Sequence, residues 1–230
     1  MDKSKRIEFI VSNLEKVTTL ADIGTDHGYV PLLALRNDLC EKAIACDINK
    51  EPLGKAKLNA ILEGIDDKID FRLGNGFEPL EVNEVEEVVI AGMGGNLIRD
   101  ILEKDLDKVK SCNYLILVPA QNPEVLREYL YKNDYEIIKE DLCFDEGIYY
   151  ELFKVRKAEG HATELDSIYY EISPMLLRSK HPVMKEYIDF KIEDYNKILG
   201  FIIDNSDSAI KRKEEVASKI EILSKMKNYL

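Results

Sequence analysis

Residues 1–157 alternate short β-branched or apolar runs with stretches whose apolar positions recur every three or four residues. Strands alternating with helices predict a mostly parallel sheet covered by helices on both faces. Ile7, Ile10, Val11, Leu14 and Val17 mark a helical stripe that leads into a first strand, Thr19–Ile23. A helix follows from Tyr29, with Pro31 tolerated in its first turn because the amide it lacks would have no partner there. The run 43–47 reads as a second strand, 51–62 as a helix, and Ile69-Asp70-Phe71 as a third strand before the turn Gly74-Asn75-Gly76. Glu87–Ala91 and Tyr114–Val118 are apolar enough to be buried strands, and Pro123 opens another helix. Tyr135–Cys143 and Tyr149–Val155, separated by Asp145-Glu146-Gly147, pattern as an antiparallel hairpin that closes a seven-stranded sheet.

Ala158-Glu159-Gly160-His161 breaks this pattern, and helical periodicity takes over from Ile168. Ile188, Ile192, Tyr195, Ile198, Leu199 and Ile202 form one apolar stripe, and Val216, Ile220, Leu223 and Met226 another. With a break near 204–208, they predict two long antiparallel helices, a coiled-coil-like hairpin burying one stripe against the other. The expected organisation is therefore an α/β domain at 1–157 and a helical domain at 158–230.

Composition narrows the classes. Hydrophobic residues at 45% and charged residues at 33% describe a globular chain with a charged exterior. No apolar run approaches the roughly 18 residues of a membrane span, and the N-terminal residues lack a signal-peptide core. A cytoplasmic protein, monomeric or weakly homo-oligomeric, is the expectation. Cys40, Cys46, Cys112 and Cys143 form no CxxC pair and sit among apolar neighbours, which predicts reduced thiols. With three histidines in the chain, no metal site is expected. The net charge of −12 weighs against nucleic acid, but it is unevenly spread: residues 1–157 hold 21 basic and 31 acidic side chains, whereas the last twenty hold six basic (Lys211, Arg212, Lys213, Lys219, Lys225, Lys227) and three acidic.

The chemistry concentrates where strands give way to helices. Ala21-Asp22-Ile23-Gly24-Thr25-Asp26-His27-Gly28 follows the first strand. Glycine lets the backbone turn tightly there and lets a ligand approach the helix start. A dinucleotide site wants G-x-G-x-x-G; the spacing here is G-x-x-x-G, flanked by Asp22 and Asp26. Carboxylates would repel a pyrophosphate, but they suit a ligand bearing positive charge, such as the ammonium and sulfonium of S-adenosylmethionine. Asp47 ends the second strand, where a carboxylate can accept both ribose hydroxyls of a nucleoside; nicotinamide enzymes share that feature. Asn75 in the Gly74–Gly76 turn can hydrogen-bond an adenine ring. Gly92-Met93-Gly94-Gly95 follows the fourth strand, where enzymes that methylate exocyclic amines of adenine carry an Asp/Asn-Pro-Pro-aromatic loop. A glycine-rich replacement offers backbone amides and room for a flat ring. Pro119-Ala120-Gln121-Asn122 adds amide side chains to the same rim.

Together, ADIGTDHGY, CDIN, LGNGF and VIAGMGG resemble the bacterial tRNA (adenine-22-N1)-methyltransferase family (TrmK-like) over the whole chain. The resemblance implies a Rossmann-like class I methyltransferase fold and methyl transfer from S-adenosylmethionine to N1 of an adenine in the D-loop region of tRNA. It implies cofactor contacts from Asp22, Gly24, Gly28, Asp47, Ile48, Asn75, Gly76, Gly92 and Met93, and catalytic roles for Asp26, His27 and Tyr29. The Pro119–Asn122 loop departs from a Gln-Pro-Asn pattern seen in relatives. N1 carries a free in-plane lone pair, so no strong base is needed. Asp26 is expected to favour the charge of the cationic product, His27 either to hydrogen-bond a ligand or to cap its helix, and Tyr29 either to stack a flipped base or to pack. A methyltransferase on another RNA or on a protein, a nicotinamide-dependent dehydrogenase, and a non-catalytic adenosyl-ligand sensor are the competing readings.

Overall fold

A computed structural model of the chain describes residues 4–204 and 206–230 and divides them between two compact units, meeting at Leu165 and Asp166. The first unit begins with α1 (Lys5–Val11) and β1 (Val17–Ile23), so Val17 opens a strand instead of closing the helical stripe. There follow α2 (Tyr29–Arg36), β2 (Cys40–Asp47), α3 (Lys50–Glu63), a single 3-10 turn at Asp66–Lys68, and β3 (Ile69–Leu73). Then come β4 (Glu87–Ala91), α4 (Gly95–Lys104), α5 (Leu106–Ser111), β5 (Tyr114–Val118), α6 (Pro123–Lys132), β6 (Tyr135–Asp145) and β7 (Ile148–Lys157).

The seven strands form one sheet in the order β3-β2-β1-β4-β5-β7-β6. β1 pairs in parallel with both β2 and β4, with Asp22 beside Ala45 on one side and Val89 on the other. β7 runs antiparallel to β5 and β6. Both faces are covered, which is why the strand sequences are continuous apolar runs instead of alternating ones. One core packs Ile23, Ile90 and Leu117 against Ile98, Leu102 and Leu126 of α4 and α6. The other packs Leu20, Ala45, Val89 and Ile116 against Ile10, Val11, Leu32 and Leu35 of α1 and α2. From β1 the chain winds outward to β3, then returns to β4 beside β1. That reversal opens a crevice at the carboxyl ends of β1 and β4, where open α/β sheets bind ligands.

The β6–β7 turn is a two-residue one, Glu146 and Gly147, both with positive φ (48° and 84°), the left-handed pair a tight hairpin requires. Residues 158–165, expected in the helical domain, are tied instead to the first unit. The Asp134 side chain accepts from the Gly160 and Ala162 amides, and the Tyr131 carbonyl from Thr163.

The second unit contains α7 (Ile168–Glu171), α8 (Pro174–Arg178), α9 (Met184–Phe201) and α10 (Asp207–Tyr229). The two short helices precede the expected long pair because Ser173-Pro174 makes a fresh start: the Ser173 hydroxyl accepts from the Leu176 amide at 3.1 Å. α9 and α10 are antiparallel, since Lys227 reaches Asp189 and Lys219 reaches the hydroxyl of Tyr195. Ile188, Val216 and Leu223 are buried, while Ile192, Tyr195 and Leu199 are only half-buried, since each helix of a pair shields one side of the other. The break lies between Phe201 and Asp207; Asn205, within the break expected at 204–208, and residues 1–3 lie outside the described residues.

Candidate active site

Three loops meet at the crevice, those after β1, β2 and β4. Gly24 turns the chain out of β1 at φ +78°, and its amide and that of Thr25 both donate to the Cys46 carbonyl, 2.8 and 2.9 Å. This fork locks the turn against the end of β2. A Cβ at Gly24 would lie 2.2 Å from the methyl carbon of Met93, so the first glycine loop and the β4 loop touch across the switch point.

Asp22 is 5% exposed at the end of β1. Burial pushes its carboxyl up to about 6; Asp47 acts in the same direction, and the Thr25 side chain and the charge of Arg6 pull it back. No Lys or Arg forms an ion pair with it among the described residues. A desolvated acid of this kind gains most from a cation brought in by a ligand, because that cation restores what burial removed. Asp47 is half-buried, and its Oδ1 accepts from the Asn49 amide at 2.6 Å, which fixes the carboxylate at the strand tip. Ile48 beside it is exposed, offering an apolar face at the same tip. Asn75 is exposed in its turn, and Gly76 is buried with φ +58°. The Gly74 amide donates to the Asp47 carbonyl at 3.0 Å, so the two loops are joined.

The β4 loop is a built element, not a loose turn. The Gly92 amide donates to Val118, the Ala120 amide to Met93, and the Gly95 amide to Gln121 at 2.7 Å, which zips the loop to the one after β5. A side chain at Gly95 would meet the Asn122 carbonyl oxygen at 2.2 Å, so that close approach permits only glycine. Gln121 and Asn122 are exposed on this rim.

Asp26, His27 and Tyr29 form a separate cluster at the start of α2, on the side of α3. The Asp26 side chain is 76% exposed, and its Oδ1 lies 3.3 Å from His27 Nε2. The His27 and Tyr29 rings are stacked, with centroids 5.4 Å apart and planes within 9°. His27 adopts positive φ (58°), and its carbonyl accepts from Asn59 Nδ2 at 2.9 Å. Gly28, also left-handed, caps α2. Asn59 had no marker in the sequence beyond being a polar residue within a helix, and Arg6, whose charge acts on Asp22, had none beyond its place in an amphipathic helix.

The four cysteines are free, and burial pushes the Cys46 and Cys112 thiols up to about 12, which keeps them protonated. Among the described residues no group of His, Cys, Asp or Glu could hold a metal ion, and no helix is long and apolar enough to cross a membrane. The donor set of the crevice is acidic where a sulfonium and an ammonium would lie and has amides and glycine beside it, which fits S-adenosylmethionine.

A family model described as tRNA (adenine(22)-N(1))-methyltransferase matches residues 20–225. The Bacillus subtilis (strain 168) protein of that name is 31% identical over 229 residues, 97% of this chain and 96% of that one. A Streptococcus pneumoniae protein solved in complex with S-adenosyl-L-methionine is similar with TM-score 0.85 and 28% identity, covering 97% of this chain and 98% of that one. M. capricolum TrmK, solved with S-adenosyl-homocysteine, matches with TM-score 0.83 and 26% identity over 100% of this chain and 99% of that one.

Proposed function

The chain belongs to the tRNA (adenine(22)-N(1))-methyltransferase family, and from that premise we propose that it transfers a methyl group from S-adenosylmethionine to N1 of adenine 22 of tRNA, in the cytoplasm. The observation that carries this reading is the convergence of the acidic loops at the switch point, in a chain that matches the family from residue 20 to residue 225.

S-adenosylmethionine supplies an electrophilic methyl group on a sulfonium. Asp22 orients the cofactor through its ammonium, Asp47 accepts from the ribose hydroxyls, and Ile48 and Asn75 border the adenine. Gly24, Gly28, Gly76, Gly92 and Met93 complete the cofactor pocket. N1 of adenine holds its lone pair in the ring plane, so the residues around it have no proton to remove before attack. Their task is to receive an extruded base and to favour the positive charge that appears on it. Asp26, exposed and carrying a carboxylate, performs the second part, and its contact with His27 orients it. Tyr29, already stacked on His27, extends a flat surface against which a flipped adenine can lie.

The α/β domain carries this chemistry, and the helical domain helps to grip the folded polyanion. The basic residues of α10 support that role less than their number suggests. Lys219 is paired with Glu171, Lys225 with Glu221, Lys227 with Asp189 and Arg212 with Glu215, while Lys213 donates to the Asp204 carbonyl. Lys211 is exposed and is the cation of this group with the fewest local claims on it. The test is incubation with unmodified tRNA and labelled S-adenosylmethionine, followed by nucleoside analysis and mapping of the product. 1-Methyladenine at position 22 is the expected product; label in another nucleoside or in protein would overturn the reading.

A further inference from the structure

Two consecutive residues before α2 have positive φ, His27 at 58° and Gly28 at 71°. Glycine takes that conformation freely, but a residue with a Cβ populates it sparsely, so His27 must be held there. Helix α3 grips this turn at two points on one face. A Cβ on Gly28 would lie 3.0 Å from Ala56 Cβ and 3.3 Å from Ala56 Cα, so the helix runs close against the turn. One helical turn further on, Asn59 Nδ2 donates to the His27 carbonyl at 2.9 Å. Ala56 is buried and Asn59 half-buried. Asparagine weakens a helix interior, because its short amide competes for backbone partners. Here that amide is directed across 32 positions of sequence at one strained turn. The side chains carried by the turn converge: Asp26 Oδ1 lies 3.3 Å from His27 Nε2, and the Tyr29 ring stacks on the same imidazole with planes within 9°.

We propose that Asn59 is a positioning residue for methyl transfer. By holding the His27 carbonyl it keeps His27 left-handed, and so brings Asp26, His27 and Tyr29 together as one surface that receives the adenine. This rests on the reading above, in which that cluster meets the extruded base, and adds the residue on which its shape depends. Asn59 touches neither cofactor nor base in this assignment; it acts through the backbone of His27. Its effect is separable from cofactor binding. The Asn49 amide that holds Asp47 lies at the start of α3, whereas Asn59 lies roughly 15 Å further along the axis, at about 1.5 Å per residue.

The test uses Asn59→Asp, which keeps the shape of the side chain but at neutral pH presents only acceptors to the carbonyl. Two readouts in the full chain separate positioning from folding. The first is NMR of the histidine rings: the chain has three, His27, His161 and His181, so each can be followed. In the native protein the His27 ring protons should be shielded by Tyr29, and Tyr29→Leu should mark the unstacked position. Asn59→Asp should move the His27 signals towards that position and leave those of His161 and His181 in place. The second readout is single-turnover methylation of tRNA at saturating cofactor, which should fall about 10- to 100-fold because the receiving groups are misplaced. Affinity for S-adenosylmethionine by calorimetry should stay within about twofold, since sites more than about 10 Å apart couple weakly. Unmoved His27 signals in Asn59→Asp would overturn the proposal whatever the rate. Displaced signals with an unchanged rate would also overturn it, taking the cluster out of the chemistry while leaving the cofactor reading intact. Movement of all three histidines, with cofactor affinity lost as far as the rate, would mark a general loss of structure and would overturn it too. Absence of methylation by the native protein would remove the tRNA reading itself, a distinct failure that needs no variant to be seen.

Discussion

The helical unit and the carboxyl edge of the sheet handle charge in opposite ways. In the helical unit most cations of α10 are answered from within: Lys219 by Glu171 and Tyr195, Lys225 by Glu221, Lys227 by Asp189. At the sheet edge the buried Asp22 and the half-buried Asp47 end neighbouring strands, and no Lys or Arg among the described residues forms an ion pair with either. Charges answered inside the chain contribute to holding it together. Charges held near one another without an answer cost folding free energy and are best understood as directed at a ligand. The difference can be broken or sharpened by asking, site by site, whether a substitution costs stability or binding.

The largest effect on stability belongs to the most deeply paired charge. Arg127 of α6 is fully buried between Glu140 and Glu151, with Nη2 2.6 Å from Glu140 Oε2 and in contact with Glu151. Arg127→Met leaves two buried acids without their cation and should lower unfolding free energy by roughly 3–5 kcal/mol in urea titration. A loss below 1 kcal/mol would show that pairing is not what holds these acids.

Next come the acids whose burial works against folding. Glu87, fully buried at the start of β4 and accepting from the Glu15 amide, is pushed by burial from 4.5 up to about 7, and Asp22 from 3.8 up to about 6. Each binds its proton more tightly folded than unfolded. The stabilisation they contribute is therefore complete below about pH 4 and is lost as pH rises through 6 and 7. Unfolding free energy should fall between pH 5 and pH 8, and Glu87→Gln should remove up to about 3 kcal/mol of that fall. A decline that survives both Glu87→Gln and Asp22→Asn would assign it elsewhere.

At the edge the prediction changes sign. Asp47→Ala should weaken S-adenosylmethionine by roughly 1–3 kcal/mol in calorimetry, because a charge-assisted ribose contact is lost, and should cost about 1 kcal/mol or less of stability, since the one intramolecular partner lost is the exposed Asn49 amide. Unchanged affinity would take Asp47 out of the site. Asp26→Asn should lower single-turnover methylation about tenfold with cofactor affinity retained, since its charge matters only once the adenine becomes cationic. Poor cofactor binding with a normal single-turnover rate would exchange the roles of Asp22 and Asp26. The smallest effect is expected in the helical unit: Lys219→Met should cost less than about 1 kcal/mol in thermal unfolding and leave cofactor affinity untouched.

The sequence by itself determined the order and type of the elements, because strand and helix periodicities are local properties of the chain. β4 and β5 begin and end at the expected residues, and the glycine turn after β1 and the acid ending β2 were readable from spacing alone. Two local readings were displaced by context. Val17 continues a helical stripe in sequence but pairs with Cys40 in the sheet, and residues 158–165 follow a break in pattern but are held by Asp134. What only the tertiary structure decided is which charges are answered and what lines the crevice. Whether α10 offers cations to a polyanion depends on Glu171 and Asp189 facing Lys219 and Lys227, not on the count of lysines. Met93 reaches Gly24, and Arg6 reaches Tyr150 and Gly92, through contacts that bridge about 70 to 140 positions of sequence. Periodicity carries no information across such separations, since it reports which side of an element is buried, whereas the fold alone sets what that side meets.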